Sequence, residues 1–98
     1  MPRSMDYNKA LLKDLKDPKE AAAYLNAVLE EGDGELFFKA LRKVAEAQGG
    51  VNRLVEKAKV SRTGLYKIMS PHGNPEFKTI EAILHAFHLR LGIHPQIG

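Results

Sequence analysis

The sequence contains no cysteine, which excludes a disulfide framework, a thiolate metal site and a cysteine nucleophile, and fits a reducing compartment. It also lacks any apolar run long enough to span a bilayer. Its opening, Met1-Pro2-Arg3-Ser4, leads into alternating charged and apolar residues rather than the apolar stretch of a secretory leader. These absences predict a cytoplasmic protein with no membrane partner. Strand-forming runs are scarce as well. Leu, Ala, Lys and Glu dominate, and apolar residues recur at spacings of three and four, so the chain reads as all-α. At 98 residues it is long enough for one domain, which at this size buries about 60–65 % of its unfolded surface.

The charge is unevenly placed. Residues 1–50 hold eight Lys/Arg against nine Asp/Glu, whereas residues 51–98 hold seven against three, so the halves carry −1 and +4. Arg53, Lys57, Lys59, Arg62 and Lys67 face only Glu56 in their stretch of sequence. A basic stripe of this kind is the electrostatic footprint of a polyanion partner, although a charge run is also the ordinary dress of a solvated face.

Start and stop signals divide the chain. Asp17-Pro18-Lys19-Glu20 combines a capping side chain with a proline at the first helical position, and Gly32 ends that helix near Glu31. Its expected inner face is Ala22, Leu25 and Leu29. A second helix from about Gly34 to Gln48 buries Phe37, Leu41, Val44 and Ala45 and stops at Gly49-Gly50. Asn52 reads as the cap of a helix reaching Ala58, with Leu54, Val55 and Ala58 inward. Ser61 caps the next, which runs to Met69 with Leu65 and Ile68 inward. Residues 70–76 form a loop by their Pro and Gly content. A fifth helix, about Phe77 to Phe87, buries Phe77, Ile80, Ile83, Leu84 and Phe87. After it the period becomes two at Leu89, Leu91 and Ile93, which describes either a short strand pairing with its copy in a dimer or an extended tail packed on the core. Residues 1–16 form a partly flexible N-terminal segment containing a partial helix at Leu11, Leu12 and Leu15, and residues 17–98 form a single helical domain.

Two short helices joined by a tight turn, the second with a polar outer face, make the pattern of a helix-turn-helix over residues 52–69. In that arrangement the N-terminal part of the second helix enters the major groove. Arg62, Thr63, Tyr66 and Lys67 are the outward residues: an arginine suits guanine O6 and N7, a threonine a thymine methyl, and tyrosine and lysine a base edge or phosphate. Asn52 and Arg53, at the start of the first helix, suit phosphate oxygens. Gly64 either lets the helix come close to the groove or merely weakens the helix.

The segment "VSRTGLYKIMSPHGNPEFKTIEAIL" followed by "HLRLGIHP", with "DLKDPKEAAAYLNAVLEEGD" and "FFKALRKVAEAQGG" upstream, resembles the addiction-module antidote family, HigA-like antitoxins of the lambda-repressor-like (XRE/Cro) helix-turn-helix class. The resemblance implies a five-helix lambda-repressor-like domain, closed by a short C-terminal strand if the period-two stretch pairs. It implies a homodimer that binds double-stranded operator DNA, represses its own operon and neutralises a toxin of the RelE/ParE superfamily. On this sequence it assigns Arg62, Thr63, Tyr66 and Lys67 to bases, and Asn52, Arg53, Ser61, Asn74 and Lys78 to the phosphate backbone. Val55 and Lys59 depart from the small residue and glycine usual at these places, and Lys59 needs a backbone conformation that glycine adopts more easily.

No enzyme is indicated. His85 and His88 stand three apart and His94 follows, with His72 in the loop, but no cysteine or HExxH pattern completes a metal site, so neither metal nor cofactor is expected. Glu30 and Glu31, near Asp33, read as a solvated helix end or a face toward a basic toxin rather than a catalytic pair. Two further readings stay open: a stand-alone XRE-type repressor, or a toxin-neutralising interaction module with a vestigial DNA surface, whose apolar anchors would be Tyr7, Leu11, Leu15 and Tyr24.

Overall fold

The computed structural model describes residues 4–70 and 74–96. Among the described residues six helices follow one another: α1 (Ser4–Asp14), α2 (Pro18–Glu30), α3 (Gly34–Ala47), α4 (Val51–Ala58), α5 (Arg62–Met69) and α6 (Phe77–Ala86). The domain is all-α, with no strand among the described residues. The expected count of five helices is corrected to six, because residues 4–14 form a full helix where only a partial one was legible.

The centre is α3. Phe37, Ala40, Leu41, Val44, Ala45 and Ala47 are all buried, a stripe too wide for one neighbour, and α3 packs against α1, α2, α4 and α5. α6 joins through α4, bringing Ile83, Leu84 and Phe87 to the same core as Leu15, Leu25, Leu54 and Leu65. Polar side chains tie the first helix down. The Gln48 amide donates to the carbonyl oxygens of Leu15 and Lys16, at 3.2 and 3.4 Å, satisfying groups left over at the end of α1. Lys43 Nζ donates to Asn8 Oδ1 at 2.8 Å.

The helix ends follow from local chemistry. Asp17 accepts from the Lys19 N–H at 3.0 Å with Pro18 behind it. Asp33, exposed beyond the end of α2, caps α3: its carboxylate accepts from the Glu35 and Leu36 N–H groups at 2.9 and 3.4 Å. α3 closes in a Schellman turn, with the Gly50 N–H donating to the Ala45 carbonyl at 2.9 Å and the Gly49 N–H to that of Glu46 at 3.2 Å. Gly50 then also starts α4, its carbonyl accepting from the Leu54 N–H at 3.1 Å. The expectation that Asn52 caps this helix is therefore corrected: α4 begins at Val51, and Asn52 sits exposed within its first turn.

Two expected core residues lie outside it. Leu29, in the last turn of α2, is 46 % exposed, and Phe77 is 65 % exposed. Phe77 is the first residue of α6, where helical side chains lean back toward the N-terminus and away from the body of the helix. Ile68 lies outside the residues whose burial is described.

Of the two readings of the stretch after α6, a short strand or an extended tail, no strand is present among the described residues. His88 turns the chain with a left-handed φ of 65°, its N–H donating to the His85 carbonyl at 3.0 Å and that of Leu89 to Leu84 at 2.8 Å. Leu89 is half-buried, Leu91 is 40 % exposed and Ile93 is fully exposed. Burial declines along the segment, as in a tail pinned at one end, rather than alternating as on a sheet.

Two backbone positions make opposite predictions. Gly50, at φ 86° and ψ −174°, occupies a region open essentially to glycine alone, so Gly50→Ala should lower the unfolding free energy by about 1–3 kcal/mol. Lys59 lies at φ 55° and ψ 37°, where glycine avoids the Cβ penalty, so Lys59→Gly should raise it by up to about 1 kcal/mol. Urea unfolding of the two variants beside the wild type checks both signs.

Candidate nucleic-acid interface

The turn between α4 and α5 is three residues long and each has a structural task. Lys59 ends α4 in the left-handed conformation that its place in the sequence required, with its N–H on the Val55 carbonyl at 3.1 Å. Val60 is half-buried beneath the turn, and Ser61 Oγ accepts from the Gly64 N–H at 3.0 Å, capping α5. Leu54 and Leu65, 4 % and 1 % exposed, anchor the two helices in the core. At the other end of α5, Arg42 Nη1 of α3 donates to the Ser70 carbonyl at 3.4 Å. A pair of helices held at the turn, in the middle and at the end is a rigid platform.

On that platform Arg62, Thr63, Tyr66 and Lys67 are all exposed, Tyr66 by 57 %. None of the four side chains makes a hydrogen bond or ion pair with the described residues. Asn52 and Arg53 are exposed at the start of α4, the Arg53 stem running beside Gly49. Ser61 and Lys78 line one groove between the turn and α6, together with Lys59, Glu76 and Thr79. Asn74 is exposed in the loop before α6, and His72 lies outside the described residues. Ser61 Oγ accepts one hydrogen bond in the cap, which leaves its O–H to donate.

Gly64 does not face outward. A Cβ there would meet Ser61 Oγ at 3.3 Å and the Thr79 side chain at 3.6 Å, so the missing side chain lets α5 sit close to the start of α6. Lys59, counted in the basic stripe but given no contact, adds a second lysine to the Lys78 groove. Arg42, three residues from Ala45 on α3, was passed over in the sequence: it belongs spatially to the end of α5, which is visible only once α3 and α5 are packed.

The four residues considered as protein-contact anchors divide. Tyr7 is 64 % exposed and Tyr24 half-buried. Leu11 is half-buried. Leu15 is 1 % exposed and belongs to the core, because the end of α1 is tucked against α3 by Gln48; it has no surface to offer. No group of His, Asp and Glu side chains among the described residues could hold a metal ion. No described helix is long and apolar enough to cross a membrane.

Burial, and secondarily the charge of an ionised Tyr7, push the Tyr24 phenol above its ordinary value of 10.0. A raised folded-state value means that the native fold disfavours the phenolate. The associated stability is complete below pH 10.0 and is lost as the pH rises through the higher folded value. Alkaline unfolding should therefore be steeper in the wild type than in Tyr24→Phe, and phenolate absorbance in Tyr7→Phe should show Tyr24 ionising at lower pH.

Against known proteins, residues 6–95 match the family described as "Probable addiction module antidote protein". A chain from Haemophilus influenzae (strain ATCC 51907 / DSM 11121 / KW20 / Rd), described as "Uncharacterized protein", is 35 % identical over 79 residues, covering 81 % of this chain and 80 % of that one. No solved structure matches. With the family match running from the first turn of α1 through α6 into the tail, the chain belongs to the addiction-module antidote family, a family of antidotes rather than of enzymes.

Proposed function

We propose that this antidote binds its operator as a homodimer through α4, the turn and α5, a lambda-repressor-like helix-turn-helix, and so represses its own operon while neutralising a toxin of the RelE/ParE superfamily. The observation that carries the DNA part is the outer face of α5, where Arg62, Thr63, Tyr66 and Lys67 stand exposed and uncommitted on a helix fixed at both ends. A reading helix needs both properties. Its polar groups must be free for base edges, and their positions must be set before binding so that little order is lost on contact.

Each contact has a physical role in this reading. The Arg62 guanidinium offers two parallel donors to a guanine, and the Thr63 methyl suits a thymine. Tyr66 and Lys67 reach a base edge or an adjoining phosphate. Asn52 and Arg53 at the start of α4, Asn74 before α6, and Ser61 with Lys78 along the groove hold the backbone and set the register. Lys59 joins them as a further phosphate contact, since it shares that groove.

The uneven charge supports a division of labour: the +4 half meets the nucleic acid and the −1 half meets the toxin. The exposed Tyr7 of α1, with the half-buried Leu11 one turn on and the half-buried Tyr24 of α2, favours a toxin contact on that half of the chain. That side could carry neutralisation even if DNA binding were absent, which is the interaction-module reading.

Fluorescence anisotropy against the native promoter and random DNA, at physiological salt, separates these readings. Arg62→Ala should lose about 1–3 kcal/mol of discrimination and relax preference at one position per half-site. Lys67→Ala should weaken every sequence alike and lower the salt slope by about 1. Equal binding of promoter and random DNA by the wild type would remove specific repression and leave the interaction module.

A further inference from the structure

Uncovered apolar side chains gather where the tail crosses α2. Leu29 and Leu91 are 46 % and 40 % exposed and Ile93 is 100 % exposed, leaving its entire side chain in water. Leu29 and Leu91 line an open groove together with Asn26, Glu30, Arg90 and His94. It adjoins an apolar recess at Ala22, Leu25, Phe37 and Leu89. Single exposed leucines are ordinary. What distinguishes this place is its pair of charges: Glu30 and Arg90 line the same groove, yet neither side chain makes an ion pair or hydrogen bond with the described residues.

An apolar surface flanked by one unpaired acid and one unpaired base is its own complement under a two-fold rotation. In such an isologous contact, residue i of one copy meets residue j of the other and j meets i, so a single patch supplies both halves of each pair. A foreign partner requires no such self-matching. We propose that this groove is the homodimer contact: Ile93 of each copy enters the groove between α2 and residues 89–92 of the other, and Arg90 of each meets Glu30 of the other. The inference rests on the homodimer of the proposed function and names the surface that forms it. It joins the two chains by side chains, without strand pairing.

Charge reversal tests it, read by sedimentation and native mass spectrometry of the full chain. Glu30→Arg and Arg90→Glu should each raise the dimer dissociation constant about tenfold or more, because two like charges then meet twice across the axis. Mixing the two variants should restore association as a heterodimer, since each reversed charge then faces its opposite. Ile93→Asp should be monomeric under conditions where the wild type is a dimer. All three positions are exposed, so unchanged far-UV circular dichroism verifies the fold. A wild-type dimer that all three variants preserve overturns this contact and leaves the homodimer standing. A wild type that stays monomeric while shifting its operator overturns both. Variants that lose toxin capture but keep self-association assign the groove to the toxin and overturn the proposal.

Discussion

The burial of Leu41, Val44 and Ala45 on α3 against four neighbouring helices is the contact from which the remaining geometry follows. A helix with so wide an apolar stripe cannot be satisfied by one partner, and each helix that covers part of it is thereby placed relative to the others. α1 and α2 take one side, α4 and α5 another, and α6 is held at second hand through α4. The basic face of α5 owes its position to a core whose residues are remote from it in sequence, with Leu65 the single fully buried link described on that helix.

Much of this was legible in the sequence where local chemistry decides the outcome. Asp17-Pro18 and Ser61 cap the helices they were expected to cap, Gly49-Gly50 ends α3, and the apolar spacing of Phe37, Leu41, Val44 and Ala45 identifies the buried face. The misread positions are those where a neighbour in space, or a competing local device, takes over. Gly50 closes one helix and opens the next, leaving no vacancy for Asn52. Phe77 opens α6, where its side chain points away from the helix body, and the tail after Leu89 has no strand beside it among the described residues. α1 was only half visible because its polar ties, Lys43 to Asn8 and Gln48 to the end of the helix, come from residues over thirty positions away.

For the candidate site the balance is similar. Which residues of α5 point outward follows from helical spacing once Leu65 is known to be inside. That Gly64 faces Thr79, that Lys59 shares a groove with Lys78, and that Arg42 reaches the end of α5 are facts of packing between elements. Leu15 illustrates the same limit in reverse. Its sequence neighbourhood is polar and exposed, and only its approach to α3 takes it out of the surface.

The doubled glycine at 49–50 also concentrates the angle between two helices in a single residue. The Gly50 N–H is held by Ala45 of α3 and its carbonyl by Leu54 of α4, so the torsions left between these two bonded peptide groups are the φ and ψ of Gly50 itself. At φ 86° and ψ −174° they lie where a side chain is poorly tolerated, so the crossing of α3 and α4 is written into the absence of a Cβ. This residue also lies where the acidic half of the chain meets the basic half.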